Sequence, residues 1–167
     1  MADAPEIPEA KDPFEKMVAI SIAVIAVLLS YVSMKGDNGK TDAIINTNEA
    51  ANKWAQYQSN SLKLHMTEME TDLLSILPGA GETTKKREDL ESKAEKYKSE
   101  KAKAQEQAEE FKKEAKKGSD MNDRCDFAGL FLQISIVIAS VAILSSQRLL
   151  WFVSLGLAIF GAVKFFF

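Results

Sequence analysis

The sequence predicts an all-α protein with three transmembrane helices and an extramembrane, coiled-coil-like antiparallel helical hairpin between the first and second spans. Three observations lead there. Met17–Met34, Phe127–Ser145 and Leu149–Phe167 are largely apolar runs, and Lys164 is the one charge among them. Each run is close to the roughly 20 apolar residues a helix needs to cross a bilayer core. The stretch between the first two is dense in Lys and Glu and contains no such run. A mean hydropathy of −0.13 would suit a soluble protein; the average hides the segregation of the two residue classes along the chain.

Residues 1–12 hold two prolines and several acids and are expected to form an arm. Asp12-Pro13-Phe14-Glu15 has the order of a helix start: a capping side chain, a proline at the first helical position and an acid shortly after. The first span is therefore placed at 13–35. The acidic arm and the lack of a small-residue cleavage site argue against a cleaved signal peptide. Lys35-Gly36-Asp37-Asn38-Gly39-Lys40 reads as a break in the helix.

The insert, residues 36–126, reads as two helices reversing at Leu77-Pro78-Gly79-Ala80-Gly81-Glu82. On the second, Leu90, Ala94, Tyr97, Ala104, Ala108, Phe111 and Ala115 recur at alternating three- and four-residue spacing, interrupted by Lys101. That is a coiled-coil seam. Lys116, Lys117 and Gly118 resemble a helix C-terminus.

On the first insert helix, Ile44, Ala51, Ala55, Leu62, Met69, Leu73 and Ile76 share one heptad-like stripe with the polar Asn48, Gln58 and His65. Trp54, Tyr57 and Leu64 lie on a neighbouring stripe. Two semi-apolar faces imply two partners, with Trp54 and Tyr57 as candidate partner anchors. Residues 41–77 carry two lysines against five acids, and residues 85–117 carry twelve basic residues against nine acids. This complementarity favours pairing of the two helices into a hairpin about 50 Å long, from about 1.5 Å rise per residue. Residues 127–167 form a transmembrane hairpin whose one polar interruption is Ser145-Ser146-Gln147-Arg148.

Chemistry finds little support. The net charge of −3 offers no basic surface for nucleic acid, and Pro78-Gly79-Ala80-Gly81 is no phosphate loop. His65, the single histidine, has Glu68 three residues on, too few ligands for a metal within one chain. Cys125, the single cysteine, excludes an internal disulfide. No catalytic residue and no cofactor is implied. The apolar runs hold no Asp, Glu or Arg; Gln133 and a few serines are their main polar groups, so a channel would require an oligomer.

Helix packing is better supported. Ala19, Ala23, Ala26, Ser30 and Ser33 form a small-residue stripe on the first span, and Ser154, Ala158 and Ala162 another on the third. Small residues let helix backbones approach closely in lipid, within one chain or between copies.

Two segments carry a family resemblance. Lys53-Trp54-Ala55-Gln56-Tyr57-Gln58-Ser59-Asn60-Ser61-Leu62-Lys63 is one, and Gln133–Ser140 continued through Ala142-Ile143-Leu144 and Leu150–Leu155 is the other. Together they resemble a bacterial membrane family catalogued as domain of unknown function 4337. The resemblance implies no activity. It implies a multi-pass protein of the bacterial inner membrane.

The sequence therefore leads to a non-enzymatic membrane scaffold in contact with the lipid bilayer and assembled as a homo-oligomer. Membership of a larger membrane complex, or an oligomeric channel, are the alternatives. Basic residues near span ends favour a cytoplasmic insert, seven against three. The several arginines that members of the resembled family carry at the turn matching Arg148 favour the reverse.

Overall fold

A computed structural model describes residues 13–76 and 82–166, and among these there are three helices and no strand. They are α1 (Pro13–Ile76), α2 (Glu82–Ser145) and α3 (Arg148–Phe166), of 64, 64 and 19 residues. Each contains a window apolar and long enough to cross a membrane, which points to a membrane protein. The arm, the Asp12 cap and most of the expected reversal (77–81) lie outside the described residues. Two compact units divide the chain. One comprises Met1–Lys40 with Ser119–Phe167, the other Thr41–Gly118.

Two expected boundaries are absent. α1 runs unbroken through Lys35–Lys40, and α2 runs through Gly118 to Ser145. A glycine inside a helix costs about 1 kcal/mol relative to alanine, which tertiary packing readily offsets. Gly36 shows how. It is buried, and a Cβ added to it would lie 2.9 Å from the Cβ of Cys125. The absent side chain is what lets α1 and α2 meet there.

In the first unit, α1 buries Phe14, Val18, Ile25 and Val32; α2 buries Cys125, Ala128, Leu132, Ala139 and Ala142; α3 buries Ala158. These positions recur at three- and four-residue intervals or their sums, as a single packed helix face requires. α3 runs back along α2. A Cβ on Gly161 would come within 3.0 Å of the Ala128 carbonyl oxygen, and the Phe131 and Phe160 rings lie 4.9 Å apart.

Polar atoms inside this unit are tied helix to helix. The fully buried Ser135 donates its hydroxyl to the Ser154 carbonyl at 2.6 Å, joining α2 to α3. Trp151 Nε1 donates to Ser21 Oγ at 3.3 Å, joining α3 to α1, and Ser21 donates in turn to the Met17 carbonyl. Without water to compete, such bonds contribute about 0.6 kcal/mol each and up to about 2.

α2 ends in a Schellman motif. The Ser146 amide donates to the Ile143 carbonyl and the Gln147 amide to that of Ala142, both at 3.2 Å. Ser146 carries the left-handed backbone this needs, with φ of 51°. A left-handed conformation costs an L-residue about 1–2 kcal/mol, and glycine has no such penalty. Ser146→Gly is expected to raise the unfolding midpoint of the detergent-solubilised protein, and Ser146→Val to lower it, in thermal scans followed by helical circular dichroism. Identical midpoints for all three proteins would contradict this account of the turn.

Cys125 is 2% exposed. Burial pushes its thiol above the ordinary range; neighbouring Asp126 adds to the rise and Lys35 opposes it. Only the thiolate reacts readily, so both access and ionisation slow its chemistry. A maleimide at neutral pH is expected to label the folded protein at least about tenfold more slowly than the denatured protein. Equal rates would show that the contact with Gly36 is open in solution.

Candidate assembly surface

The unit Thr41–Gly118 has a polar majority, and its few apolar residues fall on separate faces of α1. One face is drawn inward. Ala50, Asn60 and Thr67 are buried, and Trp54, Tyr57, Leu64 and Leu74 are half-buried. Steps of three and four residues, or their sums, connect these positions, the spacing of one helical stripe. Trp54 and Tyr57 rings meet edge to face at 5.3 Å, and Lys101 Nζ from α2 stands 5.1 Å from the centre of the Tyr57 ring. Lys63 on α1 reciprocates over Tyr97 at 5.7 Å. The two expected anchor residues are thus engaged inside the unit.

α2 answers with the face expected to form its seam. Leu90, Ala104, Ala108 and Ala115 are buried, and Ala94, Tyr97 and Phe111 are half-buried. Lys101, the residue that interrupts the pattern, is half-buried beneath its own cation–π contact. The charge complementarity between the helices is realised in one ion pair among the described residues, Lys86 to Glu70 at 3.4 Å. Both side chains are about half exposed, so the pair contributes little. Lys93 pairs with Asp89 on its own helix, and this hydrogen bond raises the Lys93 pKa.

The heptad-like stripe of α1 faces the other way. Ile44, Leu62, Met69, Leu73 and Ile76 are exposed, as are Ala51 and Ala55. Met66 completes the series: Leu62, Met66, Met69, Leu73 and Ile76 alternate four- and three-residue steps and are each more than 60% exposed. Sequence reasoning passed over Met66, although its spacing from Leu62 and Met69 was a sufficient signal. It also missed Asn60, which is 3% exposed and whose Nδ2 has no hydrogen-bond partner. Such an orphaned amide costs about 1–3 kcal/mol.

The small-residue stripes of the membrane unit also divide. Ser154 and Ala158 are buried and Ala162 is half-buried, so the stripe on α3 packs within the unit. Ala19, Ala23, Ser30 and Ser33 are exposed, with Ala26 half-buried. His65 Nδ1 lies 3.1 Å from Glu68 on an exposed surface. Among the described residues no group of three or more His, Cys, Asp or Glu side chains could hold a metal ion. Gln133 lines a cleft of about 460 Å³ with Ser33, Asp37 and Asp126.

No curated protein and no solved structure matches the chain. A family match covers residues 14–167: the chain belongs to the family described as Domain of unknown function (DUF4337).

Proposed function

We propose that this protein is a non-enzymatic membrane scaffold that self-associates through the outward apolar stripe of α1. The observation that carries this reading is the run Leu62, Met66, Met69, Leu73 and Ile76, each 61–78% exposed. Isolated exposed apolar residues are ordinary, but a contiguous stripe of coiled-coil spacing on an otherwise charged helix marks an interaction face. The exposed Ala19, Ala23, Ser30 and Ser33 allow close approach of a second copy within the bilayer.

In this reading the Thr41–Gly118 unit is an antiparallel helical hairpin outside the membrane. Its support is the order of contacts: Glu70, Lys63 and Tyr57, taken back along α1, meet Lys86, Tyr97 and Lys101, taken forward along α2. The hairpin stands on the cytoplasmic side, in keeping with the seven basic residues that flank it.

Assembly is tested by light scattering and in-membrane crosslinking of the full chain. The wild-type protein is expected to be oligomeric. The double variant Met69→Glu/Leu73→Glu is expected to be monomeric with unchanged helix content, since both side chains are exposed within one copy. A wild-type monomer at every expression level, or an oligomer indifferent to the double variant, would refute the reading.

The inward seam gives a paired test. Phe111→Asp places a charge against the half-buried face and is expected to lower stability by a few kcal/mol and to disrupt assembly. Lys112→Asp, at an exposed position, is expected to be nearly silent. Equal effects of the two changes on the unfolding midpoint would contradict the seam.

A further inference from the structure

In the membrane unit, a cleft of about 350 Å³ is lined by Asp123, Arg124, Phe127 and Lys164. Its two cations come from different helices. Arg124 lies three residues before the apolar run that begins at Phe127, and Lys164 lies in the last turn of α3. Because α3 runs back along α2, the start of the α2 span and the end of the α3 span share one edge of the bundle. Both basic side chains therefore sit where hydrocarbon gives way to headgroups.

Neither cation takes part in an ion pair among the described residues. Two positive charges converging on one cleft repel unless an anion lies between them. Asp123 supplies one negative charge, which leaves the lining with an excess of one positive charge. Phe127, 49% exposed, offers an apolar wall on the membrane side. A positive cleft with one apolar wall at the membrane edge fits a phosphate that carries acyl chains.

We infer that this cleft binds the headgroup of an anionic phospholipid. Arg124 and Lys164 donate to phosphate oxygens, Phe127 contacts the lipid's apolar part, and Asp123 accepts from a headgroup hydroxyl. That acceptor favours a glycerol headgroup over one ending in quaternary ammonium. The guanidinium suits phosphate oxygens bidentately, and the ammonium acts as a point charge. The inference is independent of self-association, which uses other faces.

The test uses the full-length protein, delipidated in neutral detergent. Binding of phosphatidylglycerol, of phosphatidylcholine with the same acyl chains, and of inorganic phosphate is compared by native mass spectrometry and thermal shift. Phosphatidylglycerol is expected to bind and raise the unfolding midpoint, and to lose affinity as salt approaches about 0.5 M. Phosphatidylcholine is expected to bind at least about tenfold more weakly, and Arg124→Gln/Lys164→Gln to lose a similar factor. Asp123→Asn is expected to bind inorganic phosphate more tightly while narrowing the preference for the glycerol headgroup. If the double variant does not fold, Lys164→Ala alone and the salt dependence decide. Equal binding of the two lipids, or full retention by the variants, overturns the inference. Phosphate binding as tight as phosphatidylglycerol also overturns it, by assigning the cleft to a soluble anion.

Discussion

Helices lying in hydrocarbon gain nothing from excluding water from one another, because lipid tails are as apolar as leucine. The membrane unit therefore depends on how closely its backbones approach. Gly36 against Cys125, Gly161 against the Ala128 carbonyl, and the buried Ala128, Ala139, Ala142 and Ala158 are the places where a larger side chain would hold the helices apart. The hydrogen bonds of Ser135 and Trp151 follow from that approach. A hydroxyl reaches a carbonyl on the next helix only when little else stands between them.

This dependence explains what the sequence disclosed and what it concealed. Three apolar runs are visible without any structure, since membrane length and hydrocarbon chemistry impose them. Which side of each run faces its neighbours is not visible, because in lipid both sides are apolar and polarity carries no period. The small-residue stripe of α3 points inward at Ser154 and Ala158, yet the equally regular stripe of α1 points outward at Ala19 and Ala23. Along α1 the bulkier Val18, Ile25 and Val32 make the contact. The glycines misled for a related reason. Gly36 and Gly39 carry the composition of a break, but each is buried within a continuous helix, where local propensity yields to packing.

The faces of Thr41–Gly118 were more legible, because charge marks them off. The buried face of α2 reads directly because nearly everything around it is charged. On α1 the sequence shows two semi-apolar stripes and does not say which of them meets α2. The structure turns inward the stripe of Trp54, Tyr57 and Leu64, together with Asn60, Thr67 and Thr71. Thr67 and Thr71 satisfy their hydroxyls on carbonyls four residues back; Asn60 leaves its Nδ2 unsatisfied. The proposed self-association would cover the exposed stripe Leu62 to Ile76. The exposed methionines Met66 and Met69 suit a contact between surfaces, since their unbranched side chains adapt to what they meet.

The two edges of the membrane unit differ in how they treat charge, and the difference bears on what surrounds them. At one edge Arg148 stands 5.9 Å over the Phe14 ring, which meets Trp151 edge to face at 6.0 Å. There the cation and the two aromatic rings meet within the chain. At the other edge Arg124 and Lys164 converge on a cleft with Asp123 and an exposed Phe127, and neither forms an ion pair among the described residues. One edge is complete by itself, and the other leaves a positive charge for its environment to neutralise. A bilayer supplies anions at its surface at high local concentration, so the lipid is the partner that reaches this edge first.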